Sequence, residues 1–309
     1  MNQEKTKSGG AVQTTGHAWD GDIQEFNNPL PTWWLWSFYA TVVFAVVYWI
    51  FYPAWPVADS FTKGVMNTIT FVDGEGNEKT THWNTRSLLL KDLQEGKSAV
   101  LSREYTDKVA AASYSEILGD AEMMAFTRSM ANGIFGDNCA PCHGTGGAGV
   151  MGLFPNLADD DWLWGGSVDA IETTIRDGRY GFMPAFRETF DDAQLDDIAS
   201  YVLSLSGHKV DAAASARGRD IFQTDAGGCH YCHTSTGTGL KSQGAANLTD
   251  SVWTIVAVES APDLAAKKAL VKGVIANGVQ RTMPHWSERL SPAQIKLLTV
   301  YVHELGGGQ

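Results

Sequence analysis

The feature that most limits how this chain can fold is a motif that occurs twice. Cys139-Ala140-Pro141-Cys142-His143 returns 90 residues later as Cys229-His230-Tyr231-Cys232-His233, and the two copies use all four cysteines of the 309 residues. On one helical turn this spacing lets two thiols bond covalently to the two vinyl groups of a haem while the next residue's imidazole reaches the iron. Disulfide pairs and zinc sites also use Cys-x-x-Cys. Neither gives a reason for a histidine immediately after the second cysteine in both copies. Two covalently bound haem c groups are therefore expected, attached through Cys139, Cys142, Cys229 and Cys232, with His143 and His233 on the irons.

The repetition extends beyond the motif. Asn156-Leu157 with Trp162 returns as Asn247-Leu248 with Trp253, a shift of 91, and Asp177-Gly178 with Met183-Pro184 returns as Asn277-Gly278 with Met283-Pro284, a shift of 100. Tyr201-Val202 returns as Tyr301-Val302. Anchors in the same order imply two homologous domains, here bounded at 119–208 and 209–309. Apolar spacings of three and four predict helices over 190–205 and 290–305, the latter with Ser291 as N-cap and Pro292 at the first helical position. Further helices are expected over 121–135 and 212–222.

Met183 and Met283 lie 40 and 50 residues after His143 and His233. A thioether as sixth ligand raises the potential and closes the iron to small molecules. Core filling is the competing use of a methionine, and the corresponding positions of the two copies argue against it. Met151 is too near His143 in sequence to reach the opposite face easily, whereas His285 is a rival to Met283. His17, His82, His208, His230 and His303 have no repeat partner, and Trp162 and Trp253 suit either pocket walls or core.

Between Asn27 and Ala58 no residue is charged. A spanning helix needs about 20 apolar residues, and residues 31–56 supply them, with Trp33, Trp34 and Trp36 at one end and Trp49, Tyr52 and Trp55 at the other, as interfacial aromatics are placed. The length, the polar segment ahead of it and the lack of a small-residue cleavage site argue for a permanent anchor over a signal peptide. Loop charge orients it weakly, since Lys5 and Lys7 are distant while Asp20, Asp22 and Glu25 are near. Residues 57–118 read as a linker or subunit-contact segment, with a turn at Asp73–Gly76 and a helical stretch over 110–118.

A formal net charge of −12 leaves little to neutralise a phosphate backbone, so nucleic acid is not expected as a partner. The excess is uneven: residues 120–208 hold 14 acids and 4 bases, residues 209–309 hold 8 and 10. Asp159, Asp160, Asp161, Asp191 and Asp192 suit either docking of a lysine-ringed donor or a plain solvated face.

With two such units behind one anchor, the sequence resembles the dihaem subunit III of cbb3-type cytochrome c oxidases. The resemblance rests on Asn138–Gly144, Pro155-Asn156-Leu157, Met183-Pro184-Ala185-Phe186, Arg281-Thr282-Met283-Pro284 and the tryptophan-rich span, over roughly residues 17 to 306. It implies an all-α fold, with one N-terminal transmembrane helix followed by two tandem class I cytochrome c domains. It also implies an electron-transfer subunit that is not an enzyme on its own. Carried onto this sequence, His143 and His233 are the proximal iron ligands and Met183 and Met283 the distal ones. Electrons would pass from a soluble cytochrome c donor through this subunit to a monohaem cytochrome subunit and the catalytic haem–copper subunit that reduces oxygen. The haem domains would stand in the periplasm of a bacterial inner membrane, with residues 1–30 cytoplasmic. A dihaem subunit of another periplasmic dehydrogenase or reductase is the alternative, and a dihaem peroxidase a more distant one. In class I cytochromes a proline carbonyl accepts from the proximal imidazole. Pro155 fits, but Ala246 stands at the second position, which leaves the partner of His233 open.

Overall fold

The uncharged stretch becomes a helix, α1 (Thr32–Phe51), after two short hairpin strands, β1 (Thr14–Trp19) and β2 (Ile23–Phe26). The computed structural model describes residues 13–306, so Lys5 and Lys7 lie outside the described residues. No residue of α1 is buried by the chain, and within its 20 residues an 18-residue window has a mean hydropathy of 1.7, enough to cross a membrane by length and composition. Arginine at its midpoint, Val42→Arg, is expected to disfavour insertion by about 3 kcal/mol. Alkaline extraction of membranes checks this: the variant should move to the soluble fraction while the parent stays in the pellet.

The segment expected as a linker is folded. Strands β3 (Pro56–Val57) and β4 (Ser60–Phe61) form one small hairpin, and β5 (Thr68–Val72) and β6 (Glu78–His82) another. The second turns at Asp73, whose carboxylate accepts from the N–H groups of Glu75 and Asn77 at 3.0 Å. Helix α2 (Thr85–Glu95), capped by Asn84, packs on β5, burying Ile69, Phe71 and Ser87. The chain divides into two compact units after Leu101. Helices α3 (Lys97–Ala111) and α4 (Tyr114–Gly119) bring Val109 and Ile117, both wholly buried, into a core of the second unit. Val109 and Ile117 thus anchor a stretch that the sequence read as linker or subunit contact, because these apolar positions find partners only in tertiary contact.

The second unit holds both repeats. The first supplies α5 (Ala121–Asn138), the single turn α6 (Ala140–His143), α7 (Val168–Asp177), β7 (Arg179–Met183) and α8 (Asp192–Leu205). The second supplies α9 (Ala212–Phe222), α10 (His230–His233), α11 (Leu264–Asn277), β8 (Val279–Met283) and α12 (Pro292–His303). Capping boxes start α8 and α12, with Asp191 or Ser291 accepting from the N3 N–H and Gln194 or Gln294 reaching back.

The packing does not follow the repeats. Helix α12 lies on α5 and α7 of the first repeat, and α8 lies on α9 and α11 of the second. One core joins Phe135, Ile171 and Ile175 to Ile295, Leu297, Leu298 and Val300; the other joins Leu195, Ile198 and Leu203 to Val258, Val271 and Ile275. The boundaries 119–208 and 209–309 therefore describe the repeats, while each packed body takes its last helix from the other repeat. The exchange passes through one antiparallel sheet, in which β7 pairs with β8 from Arg179 opposite Met283 to Met183 opposite Val279.

Local chemistry favours this exchange. Only residues 206–211 separate α8 from α9. The chain reverses there through Gly207 at φ 86°, with the His208 N–H donating back to Leu203 O at 3.0 Å. Helices joined by so short a link lie against each other. Charge reinforces it: Lys272 of α11 is 2.6 Å from Asp192 and 2.8 Å from Asp196 of α8, and Arg217 of α9 is 2.7 Å from Asp197.

Candidate haem pockets

Each Cys-x-x-Cys-His motif forms one helical turn after a longer helix, at once after α5 in the first repeat and after residues 223–228 in the second. The four thiols are unpaired; Cys139 and Cys229 are partly buried, Cys142 and Cys232 exposed. Burial pushes the Cys139 and Cys229 thiols up to about 11, so both are protonated at neutral pH. Each motif thus presents one sulfur inward and one at the rim.

The imidazoles are fixed from behind. His143 Nδ1 lies 3.1 Å from Pro155 O, and His233 Nδ1 lies 2.9 Å from Ala246 O. A carbonyl only accepts, so Nδ1 carries the proton and Nε2 keeps its lone pair for a metal. Burial lowers both pKa values, opposed by these hydrogen bonds, and the rings stay neutral. The partner of His233, open from sequence, is the backbone of Ala246: a carbonyl serves whatever its side chain.

The loop behind each ring is the same construction. Gly149 N donates to His143 O at 2.7 Å and Gly239 N to His233 O at 3.0 Å. Both glycines have positive φ, and a Cβ on either would run into the carbonyls of Phe154 and Pro155, or of Ala245 and Ala246. These positions require glycine because the carbonyl that accepts from histidine passes directly beside them.

The methionines reach the opposite repeat. Met283 packs in the core that contains Cys139, Ala140, Leu157 and Trp162, whereas Met183 packs with Ile221, Leu248 and Trp253. Gly178 and Gly278 make this possible. Each turns at positive φ against the backbone of the other repeat's Met-Pro, where a Cβ would meet Met283 O or Met183 O. The structure thus puts Met283 in one core with Cys139, and Met183 in the other with Leu248, whose loop also carries Ala246, the acceptor of His233. The sequential pairing of each methionine with its own repeat's histidine is not the one the packing gives. The short link between α8 and α9, and the acidic first repeat facing a basic second one, are the sequence traces of this exchange.

The rivals are placed elsewhere. Met151 is exposed, His285 is exposed and 3.6 Å from Glu288, His208 sits 3.2 Å from Glu259, and His230 bonds Phe222 O at 3.2 Å. The acids considered for docking are largely in internal use. Asp191 caps α8, Asp192 pairs with Lys272, and Asp159 accepts from Asp161 N at 3.2 Å. Burial, then the charges of Asp250 and Asp159, push Asp161 up to about 6 against an opposing Lys241.

Because the folded-state pKa of Asp161 is raised above its ordinary 3.8, folding favours the protonated acid. Ionisation as pH rises through about 6 costs stability, and the cost vanishes below about pH 4. Asp161→Asn should therefore raise the melting temperature at neutral pH and leave it unchanged near pH 3.5, read by thermal denaturation across that range.

Family models match the N-terminal segment and both repeats. Residues 11–59 match the family described as the N-terminal domain of cytochrome oxidase-cbb3, FixP. Residues 129–202 and again 213–302 match Cytochrome C oxidase, cbb3-type, subunit III. The chain is 42% identical to a cbb3-type cytochrome c oxidase subunit FixP of Azorhizobium caulinodans, over 97% of this chain and 95% of that relative. It is 37% identical to a subunit CcoP of Cereibacter sphaeroides, over 97% of each, and 36% identical to one of Azospirillum brasilense over the whole of both.

Proposed function

The chain belongs to the subunit III family of cbb3-type cytochrome c oxidases, and from that premise we propose that it is the membrane-anchored dihaem conduit of such an oxidase. In this reading it takes electrons from a soluble periplasmic donor and passes them toward the other subunits, a monohaem cytochrome and the catalytic haem–copper subunit. The pockets would stand in the periplasm and residues 1–30 in the cytoplasm. The observation that carries it is the duplicated pocket: one protonated-Nδ1 histidine, two thiols and one methionine gathered twice on a common plan.

Haem c bound at each motif supplies a one-electron iron couple. Cys139 and Cys142 attach the first and Cys229 and Cys232 the second. His143 and His233 present Nε2 in a fixed ring orientation, held by Pro155 O and Ala246 O. Met283 would be the second iron ligand in the pocket of His143, and Met183 in that of His233. With both ligands in place, the chain would move electrons without taking up oxygen or peroxide. Trp162 and Leu157 share a core with Met283, and Trp253 and Leu248 share one with Met183, so each methionine would meet its haem in apolar surroundings. The two methionine strands are hydrogen-bonded in one sheet, which ties the pockets together as neighbours.

The test is the absorption spectrum of the purified protein, oxidised and reduced, with and without carbon monoxide. A near-infrared methionine-to-iron band accounting for two haems, together with no effect of carbon monoxide, is the expected result. One haem without the band and reactive to carbon monoxide would move a peroxidase-like activity ahead of the conduit.

A further inference from the structure

The middle pair of the β7–β8 sheet is Gly181 opposite Arg281. The shift of 100 that relates the repeats carries residue 181 onto 281, so this pair sits on the local twofold axis between the two pockets. Burial alternates along both strands, which puts Arg281 on the face that carries Met183 and Met283. Its repeat mate there is a glycine, so only one of the two copies places a charge on the axis.

One nitrogen of Arg281 is engaged: Nη2 donates to Thr254 O at 3.2 Å, a carbonyl that also accepts from Gly152 N at 3.1 Å. Thr254 follows Trp253 of one pocket, and Gly152 lies in the loop after His143 of the other. The remaining nitrogens, Nε and Nη1, are buried and have no partner among the described residues. Arg179, on the same face, is by contrast occupied, with Nε 2.9 Å from Thr174 Oγ1 and its guanidinium over the Trp164 ring.

A buried guanidinium with open N–H groups is unfavourable unless an acceptor meets it, and its planar fork matches a carboxylate. Haem c carries two propionate carboxylates. We propose that Arg281 is a positioning residue whose Nε and Nη1 hold haem propionate at the junction of the two pockets. This rests on the reading that both pockets bind haem. A single cation at the junction favours the reduced, less positive irons of both pockets, and Gly181 leaves room for it. The Trp162 Nε1, also buried and unpartnered, offers a second donor in the first pocket, while Trp253 Nε1 is engaged with Glu259 at 3.3 Å.

Optical redox titration of the full-length protein in detergent tests the assignment, after covalent haem content has been counted. Fewer than two haems in the parent would sink the dihaem reading itself. With two present, Arg281→Gln should lower both midpoint potentials, reducing the ratio of reduced to oxidised iron at fixed ambient potential about tenfold, the scale of a hydrogen bond to a charged group. Arg281→Lys should recover most of that ratio, and the near-infrared methionine band should persist in both. Arg217→Gln, which removes an exposed arginine paired with Asp197, should move neither potential. Unchanged potentials in Arg281→Gln, or a lysine variant no better than the glutamine one, would overturn the proposal. If Arg281→Gln does not accumulate with haem, the lysine variant decides alone. With charge kept and the planar fork lost, its potentials fall partway, or they stay fixed and the proposal is wrong.

Discussion

In protein carrying Cys229→Ala and Cys232→Ala, so that only the first pocket binds haem, Met283→Ala is expected to open the iron to carbon monoxide and abolish its near-infrared band. Met183→Ala in the same background should leave both features intact. With Cys139→Ala and Cys142→Ala instead, the two methionines exchange roles. The expectation follows from the cores the methionines join, Met283 that of Cys139, Leu157 and Trp162, and Met183 that of Leu248 and Trp253. A thioether held in that position saturates the iron, and its loss leaves a five-coordinate site. If Met183→Ala opened the Cys139 pocket, the crossed ligation would be wrong and each repeat would ligate its own haem.

The second large effect is on stability. Leu298 is wholly buried in the core built on α5 and α7, although it belongs to the second repeat. Leu298→Ala is expected to cost about 2–5 kcal/mol, the usual range for a buried leucine truncated to alanine. The damage should fall on the other repeat's pocket: in urea, the methionine band of the haem at Cys139 is lost at lower denaturant than that at Cys229. Ile198→Ala, in the core built on α9 and α11, should reverse the order. Paired titrations of the two single-haem backgrounds read this directly. Loss of the Cys229 haem first in Leu298→Ala would mean that α12 packs on its own repeat.

Much of the site was legible because covalent haem attachment demands fixed residue types at fixed spacing. Cys139, Cys142, His143 and their copies needed no tertiary information, since one helical turn presents all three groups. The ends of α8 and α12 were also readable, because Asp191, Ser291 and Pro292 act on the backbone within a few residues. The acceptor for His233 was not legible. Sequence shows Ala246 where a proline was sought, while the group that matters is a main-chain carbonyl, present at every residue.

The role of residues 102–118 was hidden for a different reason. Val109 and Ile117 are single apolar positions on short helices, and only the presence of Met124, Ile171 and Leu298 in the same core makes them structural. The ion pair of Asp192 was not legible either, because its partner Lys272 lies 80 residues along the chain. Charge asymmetry between the repeats, −10 against +2 by count, is explained by α8 lying on α9 and α11.

The sequence by itself determined the apolar helix, the two motifs and the helices around them, because these depend on spacing within a turn or on local capping. Only the tertiary structure decided which methionine joins which core. Helices α8 and α12 are homologous and carry equivalent apolar faces, so either fits the groove of either repeat. The choice between them rests on the short link at 206–211, the ion pairs of α8 with α9 and α11, and the β7–β8 ladder, interactions that exist only once both repeats have folded together.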